Sequence, residues 1–229
     1  MKISEYLKSF TVFEKGLWIV STVVITLSFL ISGGGDYLSL SASLIGVTSL
    51  IFIAKGYVFG QILMVAFSVF YGIISLFFSY YGEMITYLGM TAPMAVMSII
   101  SWVKHPYKKT KEVEIAKVSK KQIALMLVLT VIVTAIFYFI LKALGNASLL
   151  ISTLSVTTSF IAAFLTFLRS EFYALGYAAN DVVLIVLWII AASSDISCLP
   201  MVFCFVMFLF NDLYGFYSWR KMRKRQSAA

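Results

Sequence analysis

Eight runs of apolar residues, each near the length of a membrane-crossing helix, alternate with short polar stretches along the chain. They fall near 17–32, 38–54, 58–80, 84–102, 122–144, 147–168, 172–193 and 197–219. A hydrocarbon core about 30 Å thick takes about 20 apolar residues in helical form. The pattern therefore predicts an all-α polytopic membrane protein with eight spans. The first run, sixteen residues from 17 to 32, is the shortest. It stops at Ser32-Gly33-Gly34-Gly35, and whether it crosses fully is left open.

The connections set the organisation. Gly33–Asp36, Ala54–Tyr57 and Tyr80–Glu83 are tight turns, whereas Lys104–Lys121 is long, lysine-rich and broken by Pro106. This gives an N-terminal segment with an extra span (1–37), a first three-helix repeat (38–102) and a basic linker (103–121). A linker helix (122–144), a second three-helix repeat (147–219) and a basic tail (220–229) follow, an order of 1 + 3 + 1 + 3. The triplets end alike, in Ser101-Trp102-Val103-Lys104 and Ser218-Trp219-Arg220-Lys221, 117 residues apart. They also open alike, with Ser/Thr-rich stretches at 43–49 and 152–159. One intervening helix gives the second triplet the orientation of the first. Parallel repeats about an axis along the membrane normal place a substrate site between them near mid-bilayer. The Trp–basic endings also fit a second account, interfacial aromatics followed by charge retained on the inside.

Charge then orients the chain. Counting alternate connections puts seventeen of the eighteen Lys and Arg residues on one side, with Lys142 alone opposite. Basic residues near span ends resist translocation, so both termini are expected in the cytoplasm. The chain is 61% hydrophobic and 12% charged, against about 45–50% and about 25% in soluble domains. Little is left for a soluble catalytic domain. The basic tail, Arg220–Arg225, is expected to face anionic lipid rather than nucleic acid. The N-terminal sixteen residues form an amphipathic segment carrying two Glu, not a cleavable signal. Cys198 and Cys204 are too few for a disulfide framework and read as small buried hydrophobes. His105, a lone histidine in the linker, suggests no metal.

Chemistry narrows the classes further. The chain contains no phosphate-binding G-x-x-x-x-G-K-[ST], no H-E-x-x-H and no G-x-S-x-G. No lysine lies mid-span for a Schiff base, and no span repeats Arg as a voltage sensor does. No catalytic residue, cofactor or metal is expected.

Polar residues inside spans are costly and tend to line the bundle interior. Two pairs stand out, Asn180-Asp181 in the seventh span and Asn211-Asp212 in the eighth. Each lies roughly 12–14 Å from the inner boundary at 1.5 Å per residue. Asn180, Leu184 and Trp188 share a helical face. Tyr214 follows Asn211 by three residues, while Phe216 and Trp219 follow Asp212 by four and seven. Gln61 and Tyr71 are the candidates from the first triplet, and Glu83 is expected near the outer mouth. Together they are candidate substrate-binding residues, suited to stacking a flat ring and bonding a sugar diol, with a carboxylate for a cationic ring. The same Asn and Asp side chains can instead glue helices together, at roughly 0.6–2 kcal/mol each.

The run Asn211-Asp212-Leu213-Tyr214-Gly215-Phe216-Tyr217-Ser218-Trp219 resembles the N-x-Y-G-W-x-x-W ending of a three-helix repeat in the PnuC family of bacterial nicotinamide riboside transporters. The stretch Leu175–Val183 is similar to the preceding helix of that repeat. Tyr80–Pro93 resembles a stretch found in the family's branch from low-GC Gram-positive bacteria. The resemblance covers about 38–221. It implies facilitated diffusion of an unphosphorylated vitamin across the bacterial cytoplasmic membrane, trapped afterwards by a separate cytoplasmic riboside kinase. It also implies a SWEET-like pair of parallel triplets and a homotrimer. The chain departs from the pattern by placing Asp212 where Asn is frequent and Phe216 where the first Trp stands, and the first triplet lacks the Tyr-Gly-Trp. Thiamine and riboflavin therefore remain alternative substrates. A substrate-capture subunit of a larger importer is a rival role, and a membrane enzyme is disfavoured by the lack of a nucleophile–base set.

Overall fold

The computed structural model describes residues 8–228 except Ser79, Ala147 and the side chain of Lys109, so the start of the amphipathic N-terminal segment lies outside the described residues. Eight helices are long and apolar enough to cross a membrane. They are α1 (Val12–Ile31), α2 (Tyr37–Ala54), α3 (Val58–Phe77), α4 (Tyr81–Lys104), α5 (Lys120–Ala143), α6 (Leu149–Phe167), α7 (Tyr173–Ser194) and α8 (Leu199–Ser227). Helices are the expected solution, because each one satisfies its own main chain where lipid offers no hydrogen bonds.

Three boundaries depart from the apolar runs. Helix α1 is 20 residues long and starts at Val12, not 17. The Thr11 side chain and Glu14 form a reciprocal capping box there. Glu14 is tolerated in the helix because it is buried against Lys55 at 3.2 Å and accepts a hydrogen bond from Tyr214 Oη at 2.8 Å. Helix α4 contains a π turn, Tyr87–Thr91, immediately before the segment carrying Pro93. Proline lacks the amide donor of a regular turn, and a widened turn is one way to accommodate it. Helix α8 runs for 29 residues, so the basic tail continues the last span to Ser227. At 1.5 Å per residue it is about 43 Å long and outreaches the hydrocarbon core.

Six helices close a ring in the order α2, α3, α4, α6, α7, α8 and back to α2. The other two sit outside it in corresponding places. Helix α1 covers the seam between α2 and α8, and α5 packs on α6 beside α4. Both outer helices begin with a capping box, Thr11–Glu14 and Ser119–Gln122. Successive spans alternate in direction, so Lys55, the linker, Arg169 and the tail share one face, here the basic face. The turns near Gly34, Tyr80 and Ser197 lie at the far face.

The ring is tied at the basic face by exchanged hydrogen bonds. Trp219 Nε1 donates to Ile53 O at 2.9 Å and Ser218 Oγ to Ala54 O at 2.7 Å. In the other direction, Trp102 Nε1 donates to Thr166 O and Ser101 Oγ to Phe167 O, both at 3.0 Å. The last carbonyls of a helix have no intrahelical donor, so α8 caps α2 while α4 caps α6. Trp102 and Trp219 also touch, with ring centroids 5.4 Å apart.

The linker straps this face. Val113 N donates to Gly56 O, and Ala116 N donates to Arg169 O. Gly56 and Arg169 hold matching places after α2 and α6, and both are left-handed, with φ of 68° and 58°. Gln226 at the end of α8 bonds Ile115 N and Val113 O. Arg225 pairs with Glu112, and Arg223 with Glu171 at 2.7 Å.

Two predictions follow from these ties. Trp102→Phe and Trp219→Phe each remove a buried indole hydrogen bond to a carbonyl that keeps one main-chain donor, from Arg169 N or Gly56 N, so each should lower stability by about 0.5–1.5 kcal/mol. Because the rings touch, the double variant should fall short of additivity, by about 0.5–1.5 kcal/mol; denaturant unfolding in detergent measures the cycle, and strict additivity would refute the coupling. Arg169→Gly should raise the melting temperature, since a left-handed non-glycine residue costs about 1–2 kcal/mol. Nε and Nη1 of Arg169 have no hydrogen-bond partner to lose.

Candidate functional site

Adjacent residues on a helix point about 100° apart, and the two Asn-Asp pairs divide accordingly. Asp181 on α7 and Asp212 on α8 face one another as close neighbours. They are 2% and 3% exposed. Asn180 turns toward α6, where its Oδ1 accepts from Thr158 Oγ1 at 2.8 Å and Ser159 Oγ at 3.0 Å. Ser155 Oγ stands at 3.4 Å from the same atom. Asn211 points the other way, donating to Ser21 Oγ of α1 at 3.0 Å and to Met207 O at 2.7 Å. The pairs do lie at matching depth, but only the aspartates meet.

Tyr71 on α3 is the centre of an aromatic cluster on the far side of the aspartates. Its hydroxyl accepts from Trp188 Nε1 at 2.8 Å. Its ring packs 4.3 Å from Tyr87, 5.4 Å from Phe205 and 5.5 Å from Phe67, centroid to centroid. Tyr80 and Phe78 close over Trp188 from the far-face turn, at 5.3 and 5.5 Å. Tyr71 and Trp188, expected from opposite triplets, are thus brought together across the ring.

The remaining candidates are dispersed. Gln61 is buried in α3. Trp219 is held in the basic-face tie, 4.7 Å from the Tyr173 ring. Tyr214 bonds Glu14 on the outer side of α8. It lines a cleft of about 350 Å³ shared with Lys55, Lys221 and Arg225. Phe216 lies at the basic face, between Phe172 and the guanidinium of Arg220. Glu83 is not at a mouth: it is fully buried, with Oε2 3.3 Å from Ser155 Oγ.

Several groups at the centre were not singled out as site residues from the sequence. Ser155, Thr158 and Ser159 belong to the Ser/Thr-rich opening of the second triplet, which marked the repeat but also cradles Asn180. Tyr87 lies four residues after Glu83, on the same face of α4. Tyr177, one turn before Asp181, is half-buried and lies near both aspartates.

Electrostatically the centre is lopsided. Among the described residues the ion pairs are Lys55–Glu14, Arg223–Glu171 and Arg225–Glu112, and none involves Glu83, Asp181 or Asp212. Glu83 Oε1, Asp181 Oδ2 and Asn211 Oδ1 are buried without a hydrogen-bond donor. Buried polar groups are ordinarily bonded, so such exceptions need an explanation. Aromatic faces, amide and hydroxyl groups and uncompensated carboxyls together suit a flat, positively charged ring bearing hydroxyls. Glu83, Asn180, Asp181, Asp212, Tyr71, Tyr87 and Trp188 are all buried.

The chain can now be compared with known proteins. Residues 36–221 match the family model described as nicotinamide mononucleotide transporter. The chain is 28% identical to the nicotinamide riboside transporter PnuC of Neisseria mucosa over 233 aligned positions, covering 97% of this chain and 86% of that protein. It is 24% identical to the protein of the same name from Haemophilus influenzae, covering 96% and 95%. A solved structure, described as the crystal structure of the vitamin B3 transporter PnuC, superposes with a TM-score of 0.84 at 23% identity. That superposition covers 99% of this chain and 100% of the other and attests the fold. The matched region takes in α2 through α8, and the chain accordingly belongs to the nicotinamide mononucleotide transporter family of integral membrane transporters.

Proposed function

We propose that the protein takes up nicotinamide riboside across the bacterial cytoplasmic membrane, with its substrate held between α7, α8 and the aromatic cluster around Tyr71. The single observation that carries this reading is the facing Asp181–Asp212 pair, buried without a cation. Removing a carboxylate from water costs several kcal/mol unless it is paired. A pyridinium ring supplies the missing charge, and its faces suit Tyr71, Tyr87 and Trp188. Asn180 and its hydroxyl neighbours offer partners for a carboxamide or a ribose diol. The printed names of the two relatives point to the same molecule.

The family description names the mononucleotide, which differs by a phosphate. A phosphate would face Glu83, Asp181 and Asp212 with no ion-paired cation beside them, so the charge pattern favours the unphosphorylated riboside. Thiamine is also cationic and is the nearest competitor. Riboflavin is neutral and needs a wider slot than this packed cluster offers.

The basic face is read as cytoplasmic, with both termini on that side, from the lysine and arginine bias. The corresponding outer positions of α1 and α5, their shared capping boxes and the exchanged Ser–Trp ties support parallel repeats. On this reading the 1 + 3 + 1 + 3 order groups as two four-helix units. Facilitated diffusion is what the family resemblance implies. The family resemblance supplies a homotrimer and a separate riboside kinase that traps the product.

The test is equilibrium binding to purified protein, with nicotinamide mononucleotide, thiamine and riboflavin as competitors. Saturable riboside binding is expected, with each competitor at least tenfold weaker. Displacement by thiamine at far lower concentration would reassign the substrate. Asp181→Asn and Asp212→Asn should each weaken riboside binding about tenfold, equivalent to about 1.4 kcal/mol. The asparagines separate by role: Asn180→Ala should abolish uptake into liposomes by a folded protein. Asn211→Ala should loosen α1, costing about 1 kcal/mol of stability, and leave binding nearly intact. Loss of binding in Asn211→Ala and not in Asn180→Ala would move the site to the α1 side of α8.

A further inference from the structure

We propose that Glu83 is a second cation-binding position, the first buried carboxyl a positively charged substrate meets from the far face, and that it determines the selection of cations over neutral analogues. This rests on the proposal that the transported molecule is a cationic vitamin.

The backbone around Glu83 is built to hold it inward. Gly82 N donates to Asn146 Oδ1 at 3.1 Å, and Asn146 Nδ2 donates to Ser152 Oγ at 2.9 Å. A Cβ on Gly82 would lie 3.0 Å from Ser152 Cβ and 3.1 Å from Leu141 Cδ2. A side chain there would have to push Ser152 and Leu141 back by a few tenths of an ångström, so glycine favours the close start of α4 against α5 and α6 that carries the next residue into the ring. Glu83 is consequently 0% exposed.

Its carboxylate is left unfinished. Oε2 has Ser155 Oγ at 3.3 Å, and Oε1 has no donor. Ser155 has one proton and also stands 3.4 Å from Asn180 Oδ1, so it can serve Glu83 or Asn180 but not both at once. Along α6, Ser155 lies four residues, about 6 Å, toward the far face from Ser159. Glu83 is therefore about one turn beyond Asn180 on the path from that face. Tyr87, on the same face of α4, is near enough to feel both Glu83 and Asp181. Its ring packs 4.3 Å from that of Tyr71, so the aromatic cluster begins one turn from Glu83, and aromatic faces are favourable surfaces for a cation. A purely structural carboxyl would be expected to use both oxygens; this one keeps an oxygen free beside the aromatic cluster.

The test compares a cation with its nearly isosteric neutral form. Nicotinamide riboside and its reduced dihydro form differ by the ring charge, and binding of each to full-length protein in detergent gives a selectivity ratio. Glu83→Gln should weaken the cation tenfold or more and change the reduced form by less than twofold. Glu83→Asp, which keeps the charge but withdraws it by one methylene, should lie between. It also serves as the decisive variant should Glu83→Gln fail to fold. Equal losses for both forms would mark Glu83 as structural and overturn the proposal, as would no change in either. Thiamine is measured in parallel: if the wild type binds thiamine and not the riboside, yet shows the same Glu83 dependence, the riboside assignment falls and this proposal stands. If it binds neither cation, both fall.

Discussion

The carbonyls at the ends of α2 and α6 are the structure's central constraint. A helix that ends near the membrane boundary leaves its last carbonyls without intrahelical donors, and the low-dielectric surroundings make an unmet carbonyl expensive. Part of the answer is local, with Gly56 N donating to Ile53 O and Arg169 N to Thr166 O. The rest comes from across the ring: Ser218 and Trp219 of α8 serve α2, while Ser101 and Trp102 of α4 serve α6. Each triplet's first helix thus takes its side-chain donors from the other triplet's last helix, with the Trp102–Trp219 contact at the junction. The linker repeats the device one layer further out, bonding Gly56 and Arg169 at the matching turns.

That tie fixes what the centre can be. With α2 and α6 held by opposite partners, α7 and α8 run side by side, and Asp181 meets Asp212 in an interior that supplies no cation to either. Helix glue would account for an asparagine whose amide bonds a neighbouring helix, and Asn211 is used in that way against Ser21. Facing carboxyls are another matter: both charged, they add repulsion to the cost of burial, so either one holds a proton or a cation comes to the pair. On the proposed reading that cation is the substrate, and the surrounding rings suit a flat one. The substitution of Asp212 for the frequent asparagine of the resembled motif strengthens the demand for positive charge.

Much of the fold was legible because lipid enforces length and polarity run by run, and eight runs became eight helices. The matching depth of Asn180-Asp181 and Asn211-Asp212 could be counted from the helix ends. Direction within a pair could not, since it depends on which neighbour lies 100° around the helix. Asp212 meets α7, while Asn211 meets α1. Trp219 looked like a stacking group because interior aromatics and helix-end aromatics share one spacing; only the position of Ile53 O distinguishes them. The start of α1 was hidden for a similar reason. Glu14 reads as a break until Lys55 and Tyr214, 41 and 200 residues away in sequence, are seen to satisfy it. Glu83 was noticed but placed by sequence at a mouth, since nothing in the chain order reveals the close approach that Gly82 permits.

The two faces of the closed centre are held by different forces. At the basic face, four side-chain hydrogen bonds to helix-end carbonyls, the strap at Val113 and Ala116, and the pairs from Arg223 and Arg225 must be broken or carried along together if the ring parts there. At the far face the cover over the aspartates is largely aromatic, with Tyr80 and Phe78 on Trp188 and one bond from Trp188 to Tyr71. Aromatic contacts are non-directional compared with hydrogen bonds and can be exchanged for contacts with another ring at little net cost. A flat substrate entering from the far face would replace the contacts it disrupts, whereas nothing about such a substrate replaces a serine or indole donor at a helix end. On the proposed reading, the chemistry of the two covers favours coupling substrate binding to opening at the far side, while the basic side holds the ring's register.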